Sequence, residues 1–228
     1  MDSRIEGRSE RKHRAIVEAA TTAFLSKGYL GTNMDEIAAL AAVSKRTVYQ
    51  HFVDKDRLFS EIVLATTDQI DGLVLLVADS LADTADVSRA MRELARSFLS
   101  ALMQPQVVQL RRLVIANADR FPELGRAWYE RGFERVLATL ATCFQRLADR
   151  QLLRLDDPLL AANHFVGQLL WIPMNRVMFT GDSRLETEAD VHRYADAAVR
   201  AFLTGYGPRS DRAASEAPDQ PPASRSDH

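Results

Sequence analysis

The sequence predicts an all-α protein, and three observations carry that expectation. Apolar residues recur with the 3.6-residue period of a buried helix face along most of the chain. Ten Gly and eight Pro in 228 residues are too few for the turns of a barrel or sandwich, and the segments between them are long enough for helices. Hydrophobic residues make up 46% and charged residues 26% of the chain, the balance of a globular protein with a sizeable core.

Residues 1–9 (MDSRIEGRS) are polar and aperiodic and are expected to form a flexible N-terminus. Ile16, Ala19, Ala20, Ala23 and Phe24 then make one stripe that Gly28 interrupts, which predicts a helix from about Glu10 to Lys27. Thr32 is expected to cap a second helix running to Ala41, with Asp35 in the capping-box position. After an Ala42-Val43 turn, Ser44 caps a third helix to about Gln50. Asp54 to Asp56 opens a fourth, with Leu58, Phe59, Ile62 and Val63 inward.

The later elements repeat the pattern at greater length. Met91, Leu94, Phe98 and Leu102 hold helical spacing until Pro105, and Leu110, Leu113 and Val114 continue in a shorter helix that ends near Phe121-Pro122. Trp128, Phe133, Val136, Leu140, Phe144 and Leu147 define a long helix. Asp157-Pro158 then joins an N-cap to a proline at the first helical position. That helix contains Pro173, where a kink is expected. A last helix is predicted from about Glu186 to Thr204, stopped by Gly205, and residues 207–228 read as a disordered tail. The expected organisation is a first domain over residues 10–70 and a second over 71–206.

Charge is unevenly divided. The chain carries a net −2, but residues 1–60 hold ten Lys and Arg against eight Asp and Glu, and all four lysines lie there. That end therefore suits a polyanion better. A single cysteine, Cys143, excludes an intramolecular disulfide and a cysteine metal cluster, and its apolar neighbours mark it as core. His164 and His192, with Glu186 and Glu188, lack metal-ligand spacing, so neither a metal nor another cofactor is expected. With no apolar leader or 18-residue apolar run, the chain is expected to be cytoplasmic and without a membrane partner.

The helices predicted over 32–41 and 44–50 have the spacing of a helix-turn-helix, in which the second helix reads the major groove. Lys45, Arg46, Thr47, Tyr49 and His51 offer outward donors on that second helix, whereas Val48 and Phe52 look inward. Candidate DNA contacts are Thr32, Asn33, Ser44, Lys45, Arg46, Thr47, Tyr49, Gln50, His51 and Lys55. On pattern alone an ordinary corner of a helical bundle fits as well.

The residue string is more specific. Gly28-Tyr29-Leu30-Gly31-Thr32-Asn33-Met34-Asp35-Glu36-Ile37-Ala38, then Ala42-Val43-Ser44-Lys45-Arg46-Thr47-Val48-Tyr49-Gln50-His51-Phe52 and Lys55-Asp56-Arg57-Leu58, resembles the N-terminal DNA-binding domain of TetR-family transcriptional regulators. Ala42 departs from that pattern, where glycine is usual; a left-handed backbone there would add about 1 kcal/mol of strain. Arg120-Phe121-Pro122-Glu123-Leu124 and the Asp157-Pro158 start look like one common type of effector domain in that family. The resemblance implies about nine helices and a homodimer through the last two long helices. It also implies a small-molecule cavity in the second domain and repression, on a double-stranded operator, relieved by ligand.

Two further expectations come from the residues. Val191, Ala195, Ala198, Val199 and Phe202 give the last helix small residues beside a bulky anchor, suited to packing across a two-fold axis. Phe98, Met103, Trp128, Phe165, Trp171 and Met174 are candidate linings for a mainly apolar effector, with Arg112, Gln168 and Asn175 as polar groups to orient it. The rival readings are a helical enzyme and a small-molecule binder without DNA binding. The first lacks a nucleophile elbow, a phosphate-binding glycine loop or a metal-ligand pair. The second would require a reader helix depleted of donors.

Overall fold

The computed structural model describes residues 2–82, 84–181 and 187–208, and every regular element in it is helical. The order is α1 (Asp2–Gly31), α2 (Met34–Leu40), α3 (Lys45–His51), α4 (Lys55–Ala82), α5 (Val87–Leu102), α6 (Pro105–Ala116), α7 (Pro122–Tyr129), a π-turn (Glu130–Glu134), α8 (Arg135–Asp149), α9 (Pro158–Thr180) and α10 (Glu188–Tyr206). Because α7, the π-turn and α8 run on without a break, the described residues form nine helical rods, as expected. Sequence periodicity does not reveal the π-turn, because a wide turn merely inserts one residue between two stripes.

Gly28 interrupts α1 as anticipated. Its φ of 75° and ψ of 173° are open essentially to glycine alone, and they let the chain make one more turn that buries Tyr29 against Phe24, ring centroids 5.8 Å apart. The helix begins at Asp2, earlier than the apolar stripe indicates, and none of residues 7–9 is buried.

The cap of α2 lies one residue beyond the expected one. Thr32 is buried and its hydroxyl donates to the Gly28 carbonyl at 2.9 Å, while Asn33 Oδ1 accepts from the Glu36 amide at 2.9 Å. Position decides this: buried against the end of α1, Thr32 finds the freed carbonyl of the Gly28 break before any α2 amide.

The end of α2 is a Schellman motif. The Val43 amide donates to the Ala38 carbonyl at 3.0 Å and the Ala42 amide to that of Ala39 at 3.2 Å, which places Ala42 in the left-handed region at φ 52°. Ser44 then caps α3, its hydroxyl oxygen accepting from the Thr47 amide at 3.1 Å.

Further along, Asp157 caps α9 through the Leu160 amide at 2.9 Å, and α9 runs through Pro173 to a left-handed Gly181. Thr187 caps α10, which passes through Gly205 and stops at Gly207. Glu186, the expected start, lies outside the described residues, as does the predicted tail beyond Pro208.

Two apolar cores organise the molecule. One joins α1 to α4 through Ile16, Phe24, Ile37, Val48, Leu58 and Phe59, and it includes Leu110 and Val114 of α6 with Leu124 and Trp128 of α7. The other is built by α5, α8, α9 and α10 around Leu99, Phe144, Phe165 and Phe202, and Cys143 is buried in it. The boundary expected between residues 70 and 71 falls inside α4, and α6 and α7 pack on the first core although they follow it by some 40 residues.

Candidate nucleic-acid interface and effector pocket

The reader helix α3 is fixed from beneath. Val48 and Phe52 are buried in the first core, leaving Lys45, Arg46, Tyr49 and Gln50 exposed on the opposite side. Lys45 pairs with Asp35 on α2 at 2.7 Å. At the surface such a pair is weak and readily exchanged for a phosphate. Thr47 is half-buried and its hydroxyl lies 2.8 Å from that of Ser44.

Three of the expected contacts have partners within the protein. Thr32 is buried, as above. His51 packs beside His13, ring centroids 5.8 Å apart, at the junction where His13 pairs with Glu61 at 2.8 Å. Burial, then the nearby charges of His13 and Lys12, lowers the His51 pKa.

Lys55 is the third. Its ammonium donates to the carbonyls of Tyr29 at 2.9 Å and Thr32 at 2.7 Å and stands 4.3 Å from the Tyr29 ring centroid. It therefore clamps the α1–α2 connection, with its own pKa lowered chiefly by desolvation. Tyr29 in turn donates to the Asp56 carboxylate, and burial followed by this bond pushes its phenol pKa up.

The second domain holds two adjoining apolar sites. An inner pocket is lined by Thr67, Phe98, Leu102, Val107, Arg111, Trp128, Gly132, Phe133, Val136, Leu137 and Val166. It is narrow, so a sizeable guest must part its walls. An outer groove along α9 is lined by Arg111, Ile115, Phe133, Val166, Gly167, Leu170, Trp171, Met174, Asn175, Met178 and Phe179.

Of the expected lining, Phe98 and Trp128 reach the inner pocket and Trp171, Met174 and Asn175 the groove. Met103, Arg112, Phe165 and Gln168 line neither. Phe165 is wholly buried between Phe144 and Phe202. Met103 is core, and Gln168 is exposed. The Arg112 guanidinium caps the end of α9, donating to the carbonyls of Val177 and Met178. Arg111, the residue before it, is the one that faces both sites. The Arg111-Arg112 pair in an otherwise uncharged helix was the available signal.

A reader helix on a helix-turn-helix, joined to a helical body with an apolar pocket, defines a DNA-binding regulator with a second, sensory domain. Residues 16–62 match the family described as bacterial regulatory proteins, tetR family, and residues 89–208 match the AefR-like transcriptional repressor, C-terminal domain. The chain belongs to the TetR family of transcriptional regulators.

A solved TetR-family transcriptional regulator from Mesorhizobium loti is 53% identical over 88% of this chain and 98% of that one, with a TM-score of 0.81. The flavonoid-responsive regulator FrrA is 30% identical over 88% of this chain and all of that one, with a TM-score of 0.68. Among curated relatives, the HTH-type transcriptional activator FasR of Mycolicibacterium smegmatis is 35% identical over 91 residues, 40% of each chain. The chain spans about two fifths or less of the length of the curated relatives it matches. No helix among the described residues is long and apolar enough to cross a membrane.

Proposed function

We propose that this regulator is a cytoplasmic, homodimeric repressor without catalytic activity that leaves a roughly palindromic operator when a small molecule enters the second domain. The observation that carries this reading is the division of α3, whose Val48 and Phe52 are anchored while Lys45, Arg46, Tyr49 and Gln50 are exposed on the side that would meet DNA. Arg46 suits a guanine edge, and Tyr49, the α3 amides and the Asn33 and Ser44 side chains suit phosphates.

One reader helix covers few bases, so two-fold symmetry would repeat it roughly 34 to 36 Å away, one turn of DNA. The α9–α10 face supports that dimer, though through other residues than the sequence suggests. Ala195, Ala198, Val199 and Phe202 are buried inside the protomer, and Val191 packs against that same core. The exposed side instead offers Leu160, Gly167, Trp171 and Ile172 on α9 beside Ala197 and Ala201 on α10. Trp171 is 72% exposed in the protomer, a surface that pairing would cover.

The route from pocket to DNA would run through Trp128, which lines the inner pocket and belongs to the first core. A ligand that parts the pocket walls moves α7 against that core; to release DNA it must favour the shifted state by a few kcal/mol. Gel-shift titration against the promoter beside the protein's own coding sequence is the test. A shift is expected for the wild type, with sedimentation at the dimer mass, and unchanged affinity in Arg46→Ala/Tyr49→Ala would overturn the reading.

A further inference from the structure

We infer that the effector is an amphipathic anion, an apolar body bearing one carboxylate, sulfonate or phenolate group that Arg111 holds. The inference rests on the reading of the second-domain pocket as the effector site.

Among the described residues, Arg111 is the one charged residue that lines either the inner pocket or the outer groove, and it lines both. It sits where they meet, with Phe133 and Val166, so a head group there leaves the body free to extend inward toward Trp128. Among the described residues its guanidinium makes no hydrogen bond or ion pair, and its recorded neighbour is the face of Phe133, 4.9 Å from the ring centroid.

Arg96 and Arg112, which are also half-buried, are paired within the protein. Arg96 bonds Asp196 at 2.9 Å across α5 and α10, and Arg112 bonds two carbonyls at the end of α9. Burial alone lowers the Arg111 pKa, with no carboxylate opposing it. A guanidinium stays charged even so. The Arg111 guanidinium, half-buried beside the apolar lining and without a protein acceptor among the described residues, carries a desolvation cost that the Phe133 contact offsets only in part. An anion would satisfy its N–H donors with charge-assisted, bidentate hydrogen bonds. Thr67, the polar side chain deepest in the inner pocket, already donates to the Leu64 carbonyl at 2.7 Å, which leaves Arg111 as the donor for a head group.

Two fluorescent probes with the same aromatic body test this: anilinonaphthalenesulfonate, an anion, and N-phenylnaphthylamine, which lacks the sulfonate. Both are titrated into the full-length wild type, Arg111→Met and Arg111→Lys. The anion should bind the wild type more tightly than the neutral probe. Arg111→Met should weaken the anion about 10- to 100-fold while leaving the neutral probe within about twofold. Arg111→Lys, which keeps the charge, should recover part of the loss. Equal binding of the two probes, unaffected by Arg111→Met, would overturn the anion assignment and leave the pocket standing. Binding of neither probe would overturn the pocket reading, and the anion assignment with it.

Discussion

The ring of Phe121, at the turn into α7, stands edge-on to Tyr29 with centroids 4.9 Å apart. Tyr29 lies at the end of α1 and also holds Asp56 and Lys55 at the start of α4. This pair is thus one point at which the sensory half touches the helices that position α3. In a double-mutant cycle of Phe121→Leu and Tyr29→Leu, measured by urea unfolding, the two residues should couple by about 0.5 to 1.5 kcal/mol. Strict additivity would mean that the rings merely share a surface.

Ala42 occupies a left-handed position at φ 52°, where a Cβ costs more than the extra freedom of glycine in the unfolded chain. Ala42→Gly should stabilise the protein by about 0.5 to 1 kcal/mol and leave operator affinity unchanged. Chemical denaturation checks it; a destabilised variant would show that the turn has relaxed around alanine.

Lys55 binds carbonyls, not solvent. Lys55→Met should cost about 1 to 3 kcal/mol of stability by leaving those acceptors unpaired. The slope of log affinity against log salt for DNA should stay unchanged. A slope reduced by about one would instead assign Lys55 to a phosphate.

His51 has its pKa lowered below the ordinary imidazole value of 6.5 by burial and by His13 and Lys12. Between the folded and unfolded pKa values the unfolded chain binds more protons, so stability is held above about pH 6.5 and lost as pH falls through the folded value. Wild type should therefore lose more stability than His51→Gln between pH 7 and pH 5. Parallel pH profiles of unfolding would refute the assignment.

Much of this architecture was legible because it depends on neighbours in sequence. Gly28, Ser44, Asp157 and Pro158 act where their chemistry predicts, since a cap or a break involves residues three or four positions away. What escaped was rotation. Arg111 and Arg112 differ by about 100° around α6, and that helix has apolar residues on more than one side. Only the packing of α9 decides which arginine caps it and which faces the pocket. The same ambiguity sent Val199 and Phe202 to an expected dimer face, although α10 buries its most apolar side in its own protomer. Thr32 lost its predicted cap to Asn33 because α2 begins at Met34, which puts Asn33 at the N-cap, while the Thr32 hydroxyl turns back to the Gly28 carbonyl.

The π-turn at Glu130–Glu134 separates chain length from helix phase. A wide turn of this kind amounts to one residue more than an α-helix needs, so Trp128 before it and Val136 after it keep their inward settings despite the surplus. An in-frame loss of one codon there would restore an uninterrupted rod without rotating α8 relative to α7. The same loss elsewhere in the rod would turn everything after it by about 100°. The surplus residue widens the rod where Gly132 and Phe133 meet Arg111 and Thr67. The segment can therefore be shortened by one residue at that turn, reshaping the pocket wall, while α7 and α8 keep their settings against the two cores.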